Sequence, residues 1–482
     1  MRPPSWHPPV ELSALEGSIV KRIKRAKLFT FLRRVRHELF SDAFQEELAT
    51  LYAASPLGQP PVPPAKLALA TIVQAYVGAS DDEVIEALTM DRRWQLVLDC
   101  LGCEQAPFGK ATLQRFRDNL RAANLDRRLI ERTVEMAEND RGVSPRQLRA
   151  ALDSSPLWGA GRVEDTDNLL GHALRKASGV IARQQGRGLA EVATERGAPI
   201  LGGPSLKAAL DLDWDAPDQR QRALGLVLGA LQAVETSLAE HPEVASAPEV
   251  HEPGQASLAV AHRVQAQDVE VGASGQPTLR KGGAKDRLVS VEDPAMRQGR
   301  KSRSQRFAGF KRHVLRDLDR GLIRAVARTG ANVPDARAAE EIKTDLEPQK
   351  VVLRELHIDR AYLTSTLVRD RLSETAIYCK PWPVRNGGQF PKTAFALDWQ
   401  KQTISCPNEI TVPFEVGGVV HFPPETCATC SLRERCTRSK GQGRSVSIHP
   451  DAQLLAELRE RQLPPLGRAK LRERVKVEHA LA

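Results

Sequence analysis

One short stretch constrains the fold of this chain more than any other: residues 148–170, LRAALDSSPLWGAGRVEDTDNLL. Its apolar run is short enough to be one core strand, and it is followed by an acid, Asp153, and then by small residues and glycine. A single Asp after a strand is more often a turn residue or a helix cap than part of a site. A second acid in the same setting is therefore needed before the stretch indicates a function.

A second acid, Asp359, ends the run VVLRELHID in the same way. Before it, HVLRDLDRGLIRAVART predicts a hairpin, and Pro334 and Asp335 open a predicted helix that runs to about Leu346. A strand pair, a helix and a strand, with acids ending two strands, is the layout of an α/β sheet whose strand ends meet at one site. We therefore expect Asp153 and Asp359 to be neighbours.

Two neighbouring carboxylates repel each other unless a cation holds them, and Mg²⁺ prefers oxygen ligands. The candidate third acid is Glu478 in RVKVEHALA, on a predicted final helix where Val475 and Ala482 share its face. The alternative is that Arg474, four residues earlier, simply pairs with Glu478 at the surface.

Residues 1–140 read as helices only, because apolar residues recur there at spacings of three and four. These helices could form a helix-turn-helix type of DNA-binding unit, or a helical bundle with a solvated basic face. In the whole chain Lys and Arg exceed Asp and Glu by ten, which favours a polyanionic partner. A second helical stretch, residues 172–250, looks inserted after the first strand.

A basic stretch leads into the predicted hairpin. Its cations fall within sixteen residues: Arg297, Arg300, Lys301, Arg303, Arg306, Lys311 and Arg312. Such a cluster gives salt-sensitive, sequence-independent affinity for phosphates. The alternative is a solvated charged loop, but the predicted acidic site beside it favours contact with DNA.

A Cys-rich insertion, residues 383–448, precedes the last acid. Its four cysteines are Cys406, Cys427, Cys430 and Cys436. Four thiolates could enclose a structural Zn²⁺, although this spacing is looser than two tight pairs. Cys100 and Cys103 also stand two apart, but they have no second pair nearby and are read as core or incidental thiols.

The chain shows no sign of a membrane or secretory protein. No apolar stretch is judged to reach the roughly 18 residues of a membrane span, and the N-terminus lacks the apolar core of a signal peptide. A soluble protein of the reducing cytoplasm is the expectation, and the cysteine grouping suits it.

Five stretches resemble, in this order, the motifs of the DDE-type transposases of bacterial insertion sequences. They are LDSSPLWGAGRVEDTDNLL, DPAMRQGRKSRSQRFAGFKRHVLRD, GLIRAVARTGANVPDA, HIDRAYLTS and RVKVEHALA. The group that the chain resembles most has a helical N-terminal transposase domain and a Cys-bearing insertion before the last acid.

This resemblance implies an α/β fold: an RNase H-like catalytic domain, residues 146–482, with helical and Cys-rich insertions, preceded by an all-α DNA-binding domain, residues 1–140. It implies that Asp153, Asp359 and Glu478 are the catalytic acids and hold two Mg²⁺ or Mn²⁺ ions. It also implies double-stranded DNA as partner, both element ends and target, a homodimer, and a place at the bacterial nucleoid.

Two Mg²⁺ ions can activate the attacking oxygen and stabilise the leaving one at a phosphodiester. Water would free a 3′-hydroxyl at the element end, and this hydroxyl would then attack target DNA. No covalent protein intermediate is expected, so neither Ser154, Ser155 nor Tyr362 is assigned as a nucleophile. The role of His479, beside the last acid, stays open.

Other acids compete for the site. Those near the predicted strands and the basic loop are interpreted as turn residues or as supports behind the metal ligands: Asp165, Asp167, Asp293, Asp317 and Asp319.

The chain stops four residues after Glu478, whereas relatives usually continue that helix. A truncated, catalytically inactive remnant that only binds DNA is therefore the second hypothesis. A non-transposing nuclease of the same fold is a third.

Overall fold

A computed structural model describes residues 2–53, 60–139, 147–203, 205–241, 248–272, 275–302 and 304–481. The chain divides into two compact units. The first consists of Met1–Arg146 with Leu322–Arg324, and the second of Gln147–Gly321 with Ala325–Ala482.

All regular elements that the structure describes in residues 2–139 are helices. They are α1 Ala14–Arg22, α2 Lys27–Leu39, α3 Asp42–Ala49, α4 Pro64–Val77, α5 Asp81–Met90, α6 Arg92–Leu98, α7 Lys110–Ala122 and α8 Arg128–Asn139. The start of α5 shows a local cause: the Ser80 hydroxyl accepts from the Glu83 amide, and the Glu83 carboxylate accepts from the Ser80 amide. This capping box satisfies two donors that the helix start leaves open.

One apolar core holds these helices together, with Phe29, Trp94 and Phe116 among its buried members. Arg33 is fully buried within the unit and makes paired hydrogen bonds to Glu16. Because this buried charge is neutralised by its partner, it is compatible with a stable fold.

A six-stranded sheet dominates the second unit. Its strands are β1 Gln147–Trp158, β4 Arg297–Arg300, β5 Arg306–Asp317, β6 Ile323–Gly330, β7 Val352–Ile358 and β8 Ala376–Tyr378, and a separate two-stranded sheet holds β2 Val269–Val271 and β3 Pro277–Leu279. The order is β4-β5-β1-β7-β8, with β6 also paired to β5. β5 and β6 confirm the predicted hairpin.

The strand β1 has an antiparallel neighbour on one side and a parallel neighbour on the other. It pairs antiparallel with β5 and parallel with β7, where Leu152 lies opposite Ile358. β7 and β8 are also parallel. The two acids that follow Leu152 and Ile358 are therefore placed side by side.

The expectation that the first strand ends at Asp153 was wrong. β1 continues to Trp158, because its pairing with β5 runs on from Asp153 opposite Val314 to Trp158 opposite Gly309. Only the parallel pairing with β7 stops before Asp153.

Helices fill most of the chain between β1 and β4. They are α9 Thr166–Gln184, α10 Leu189–Glu195, α11 Leu206–Leu210, α12 Pro217–Glu240 and α13 Pro248–Asp268. The helical stretch thus begins before the predicted residue 172, because the Asp165 carboxylate accepts from the Asn168 amide and caps α9. It also extends past the predicted residue 250.

Helix α12 is long and apolar enough, by length and composition, to cross a membrane, which the sequence had not been judged to contain. Its apolar side packs in a helical core with α9 and α13, where Leu224, Val227 and Leu231 are buried. A core helix of a soluble protein can pass the same test, so this one helix is weak evidence for a membrane span.

The rest of the second unit packs on the sheet or follows it. Its helices are α14 Ala339–Leu346, α15 Thr366–Arg369, α16 Pro424–Ala428, α17 Arg433–Cys436, α18 Ala452–Arg461, α19 Pro465–Arg472 and α20 Val475–Leu481. Its short strands are β9 Ala396–Asp398, β10 Thr403–Ser405, β11 Thr411–Pro413, β12 Val419–His421 and β13 Ser445–Ser447. The single final helix predicted from the sequence is broken at Glu473 and Arg474 into α19 and α20.

Candidate active site

Asp153 and Asp359 lie next to each other on adjacent parallel strands. Each directly follows a residue of the last β1–β7 pair, Leu152 and Ile358. Adjacent strands are about 5 Å apart, so the two carboxylates share one end of the sheet. The structure thus confirms the expected proximity of these two acids, although nothing in it tests their catalytic role.

The helix α20 brings Glu478 to the same place by an apolar contact. Val477 and Leu481 are buried in a cluster with Ala151 of β1 and Val314 of β5. The predicted face was wrong here: Val475 is exposed, and Glu478 stands beside the apolar face rather than on it. The carboxylate itself remains about half exposed, at 45%.

Two arginines of β5 hold the backbone of α20 as well. Arg312 donates to the carbonyl of Leu481, and Arg316 donates to the carbonyl of Lys476. The Leu481 carbonyl is at the C-terminus of the helix, where the free carbonyls carry partial negative charge and a nearby cation is favourable, whereas the Lys476 carbonyl is near its start. The helix that carries Glu478 is therefore fixed to the sheet by both apolar and polar contacts.

Arg474 lies between two of the predicted acids. Its guanidinium donates to the carboxylate of Asp153 and, at 2.7 Å, pairs with Glu478. The Arg474–Glu478 pair, which the sequence offered as the alternative, is thus present. It is not a simple surface contact, because the same guanidinium also binds Asp153. Sequence reasoning noted the spacing of the pair and missed the second partner, which only the tertiary fold reveals.

The pKa of Asp153 is raised above its usual value, chiefly by burial. The Arg474 charge and the Ser154 amide oppose this shift, while the negative charges of Glu478 and Asp359 add to it. Glu478 and Asp359 are thus near enough to Asp153 for their charges to act on its titration.

The three acids form a donor set made only of carboxylate oxygens, which suits a hard divalent ion. As placed, no three Asp, Glu, His or Cys side chains in the described part of the chain are grouped closely enough to hold a metal. A cation, Arg474, already bridges Asp153 and Glu478. The chemistry of the three carboxylates therefore suits a divalent ion, whereas their placement, with Arg474 bridging two of them, does not bring three ligands together.

A hydrogen-bonded group supports the strand beside Asp153. The Ser154 hydroxyl donates to Asp335 at 2.8 Å, and the Lys311 ammonium donates to the other oxygen of the same carboxylate at 2.5 Å. Asp335 had been predicted only as the start of a helix. Its position beside the acids has no signal in the local sequence, because it depends on the docking of residues 335–338 against β1 and β5.

Tyr362 is fully buried beneath the acids, where its hydroxyl lies 2.7 Å from Nδ1 of His313. Nε2 of His313 in turn lies 2.9 Å from the Thr329 hydroxyl. Burial raises the pKa of Tyr362 and lowers that of His313 to about 4, so both side chains are neutral at pH 7. A buried neutral phenol does not fit the role of a nucleophile.

A basic cavity of about 620 Å³ lies along β4 and the start of β5. Its cations are Lys285, Arg287, Arg297, Arg300, Arg306 and Lys311. Lys285 and Arg287 were not singled out from the sequence because they precede the dense basic run. Lys311, which lines the cavity, also donates to Asp335, and Asp335 in turn accepts from Ser154 beside Asp153.

The seven basic residues predicted to contact DNA have different surroundings. Arg297 pairs with Asp286, Lys311 pairs with Asp335, and Arg312 is bound to α20 and to Ser155. The following three make no ion pair within the described residues: Arg300, Lys301 and Arg306. Arg303 lies outside the described residues.

Several competing acids have structural partners. Asp165 caps α9, Asp319 pairs with Arg149, and Asp317 accepts from the amides of the turn after β5. Asp293 lies in a turn where its carbonyl accepts from Met296, and Asp167 is buried in α9. His479 is exposed beside Glu478.

The four cysteines of the insertion line one small cavity, while Cys100 packs at the edge of the N-terminal core. All seven cysteines are free thiols.

Comparison with known families gives three matches along the chain. Residues 20–119 match a transposase domain (DUF772), and residues 276–385 and 403–482 each match a transposase DDE domain. Asp359 and Glu478 lie within the matched ranges, and Asp153 lies outside them. No curated protein and no solved structure was found to match the chain.

Proposed function

Because the chain belongs to the DDE-type transposases of insertion sequences, we propose that it cuts DNA at the ends of such an element and joins the freed 3′-hydroxyl to target DNA. The observation that carries this proposal is the convergence of three acids from distant parts of the chain. Asp153 and Asp359 are neighbours on parallel strands, and Glu478 shares Arg474 with Asp153.

The strand arrangement supports an RNase H-like fold for the second unit. Three strands, β6, β5 and β1, lie side by side, and two further strands continue the sheet parallel to β1. In this arrangement β1 is central, which places Asp153 in the middle of the sheet with acids reaching it from both β7 and α20.

In this proposal Asp153, Asp359 and Glu478 hold Mg²⁺ or Mn²⁺. Two such ions supply activation of the attacking oxygen and stabilisation of the leaving oxygen. The protein contributes the position of the carboxylates: β1 and β7 fix two of them, and the docked α20 fixes the third. Arg474, which bridges Asp153 and Glu478, would have to leave these carboxylates for the ions to bind.

The basic cavity is proposed to hold the DNA backbone. Arg300 and Arg306 line it without an acidic partner in the described chain, so their charges are available to phosphates. Arg297 and Lys311 keep acidic partners there and serve mainly to shape the cavity.

Sequence-specific contacts with the element ends are proposed for the first unit. Exposed cations crowd the end of α1 and the start of α2: Lys21, Arg22, Lys24, Arg25 and Lys27. The transposase domain match begins at residue 20, so it includes this cluster. A homodimer that pairs both element ends is part of the same proposal, and it rests on the family alone.

The test is a nicking and joining assay on labelled element-end DNA with Mg²⁺ or Mn²⁺. The variants Asp153→Asn, Asp359→Asn and Glu478→Gln should lose cutting while gel shifts show that DNA binding persists. Asp165→Asn is the matched control, because Asn also caps helices well and the change removes one charge away from the three acids.

Two outcomes would count against the proposal. If all three variants cut like the parent, the assigned acids are wrong. If the parent binds element ends but neither cuts nor joins them with either ion, the second hypothesis, a protein that only binds DNA, replaces the first.

A further inference from the structure

Four cysteines surround a single cavity of about 30 Å³ in the Cys-rich segment. They come from separate elements: Cys406 directly follows β10, Cys427 lies in α16, Cys430 lies in the loop after it, and Cys436 ends α17. A space of this size accommodates about one water-sized particle. Thiols that are up to 30 residues apart in sequence thus meet around room for one ion.

Tight backbone turns position two of these cysteines. After Cys406 the chain reverses, with the Glu409 amide donating to the Cys406 carbonyl at 2.8 Å and Glu409 at a φ of 64°. After Cys430, the Leu432 amide donates to the sulfur of Cys430 at 3.4 Å. An amide that points at a sulfur stabilises the thiolate form, which is the form that binds metals.

Positive charge surrounds the same cavity. Arg433 and Arg444 both line it, and the buried Nε of Arg444 has no hydrogen-bond partner among the described residues. A buried donor without an acceptor is costly. Thiolate sulfur in the cavity would supply that acceptor, and the two guanidinium groups would offset the net charge of −2 of four thiolates around Zn²⁺.

The thiols also influence one another electrostatically. Burial raises the pKa of Cys436, the other three cysteines raise it further, and Arg444 opposes the rise. In the described residues no three Cys, His, Asp or Glu side chains are gathered at metal-binding distance. Deprotonation and a small inward turn of the side chains would be required.

We propose that Cys406, Cys427, Cys430 and Cys436 bind one structural Zn²⁺. The four thiols lose four protons, and each sulfur donates an electron pair to the ion, with no change of oxidation state. Zn²⁺ is the ion that suits a closed set of four sulfur ligands. The site is separate from the carboxylates, so it does not depend on the proposed transposase activity.

The bound ion would hold together a segment with little apolar core. The sheet β9–β11 and the pair β12–β13 share a small cluster that includes Ile404, Phe414, Phe422 and Val446. Cys406 directly follows β10 of the first sheet, and Cys427 lies in the chain between β12 and β13 of the second. A metal that joins them crosslinks both sheets just before α18, and it thereby supports the path of the chain to Glu478.

The experiment measures the metal content of the full chain purified without chelator or added zinc, followed by replacement with Co²⁺. The parent should carry one zinc ion per chain, and its Co²⁺ form should show the intense visible bands of tetrahedral thiolate coordination. Cys427→Ser with Cys430→Ser should lose both signals. The matched control is Cys100→Ser with Cys103→Ser, which removes the other pair at the same spacing and should change neither.

The double-serine variant could lose zinc simply because it fails to fold. Cys436→His is the second variant for this reason, because histidine is also a zinc ligand. This variant should keep one ion per chain and shift the cobalt spectrum towards mixed sulfur and nitrogen coordination. The proposal is overturned if the folded parent carries no zinc and takes up no Co²⁺. It is also overturned if the control pair abolishes binding, or if the four thiols are found as disulfides in the freshly purified protein.

Discussion

The guanidinium of Arg474 donates a hydrogen bond to the carboxylate of Asp153, across 321 residues of chain. The same group pairs with Glu478 one helical turn away. A positive charge therefore occupies the space between two carboxylates that, in the proposed function, hold a divalent ion. If the proposed function holds, Arg474 and the ion would compete for the same oxygens.

This competition gives the first prediction. Arg474→Ala should bind Mn²⁺ more tightly than the parent. The affinity should rise about tenfold for each 1.4 kcal/mol by which Arg474 opposes binding of the ion in the parent. The measurement is Mn²⁺ binding by calorimetry at pH 8, because loss of Arg474 raises the pKa of Asp153 further and a proton would otherwise compete.

Arg474→Lys is the control for charge. A lysine keeps the positive charge but lacks the planar fork that spans two carboxylates, so its gain in affinity should be smaller. Unchanged Mn²⁺ affinity in Arg474→Ala would show that the guanidinium does not stand in the place of the ion.

The sequence was sufficient to predict that Asp153 and Asp359 are adjacent. Both follow apolar strands, and parallel neighbours bring such residues together whatever the rest of the fold. The sequence was not sufficient to predict the length of β1. The strand that extends it by pairing, β5, lies more than 140 residues later in the chain. Periodicity also gave no sign of the break at Glu473 and Arg474, which turns Arg474 towards Asp153.

The face of α20 shows a similar limit. Val475 and Val477 are chemically equivalent in sequence, yet only Val477 is buried. Helical spacing alone groups Val475 with Glu478, whereas the docking on Ala151 and Val314 buries the adjacent face, which carries Val477 and Leu481. Asp335 was missed for the same reason, since its contacts with Ser154 and Lys311 arise only from tertiary packing.

The docking of α20 gives the second prediction. Val477→Ala removes a fully buried side chain and should weaken the attachment of the helix by about 1–3 kcal/mol. Hydrogen exchange of residues 475–481 should accelerate by roughly tenfold or more, and strand cutting should fall while DNA affinity is kept. Val475→Ala, on the exposed face of the same helix, is the matched control and should change neither. Equal effects of both changes would contradict the docking described here.

The third prediction concerns the nucleophile. Tyr362→Phe removes only the hydroxyl that contacts His313, and it should keep cutting activity while lowering stability by about 1–2 kcal/mol. Denaturant titration and the nicking assay measure the two effects. Complete loss of cutting in a folded Tyr362→Phe protein, together with a covalent DNA–protein adduct in the parent, would indicate a tyrosine nucleophile instead.

The fourth prediction is a pH dependence from Asp167. Burial raises its pKa to about 6, and one oxygen of its carboxylate has no hydrogen-bond partner in the described structure. Because the folded state binds the proton of Asp167 more tightly, this group contributes stability to the fold. The contribution is fully present below the unfolded pKa of about 3.9 and is lost as the pH rises through 6. Above pH 6 the buried charge costs up to about 3 kcal/mol.

Asp167→Asn should therefore raise the thermal midpoint at pH 8 and leave it nearly unchanged at pH 4. Lys207 and Arg220 favour the charged form, so the gain should be below the full cost of the buried charge. Asp165→Asn is the comparison at an exposed carboxylate whose capping role survives the change; its charge only contributes to the raised pKa of Asp167, so its gain at pH 8 should be smaller. A lower midpoint for Asp167→Asn at pH 8 would show that the charge is stabilising.

The last prediction tests the basic cavity by its salt dependence. Each phosphate contact contributes about 0.9 to the slope of log affinity against log salt. Arg300→Ala with Arg306→Ala should therefore reduce that slope by about 2 and weaken binding to element-end and unrelated DNA alike. Arg187→Ala with Arg183→Ala removes the same charge from α9 and the loop after it, and it should leave the slope unchanged. Equal slopes for the two double variants would mean that the affinity reflects net charge rather than contact of DNA with the cavity.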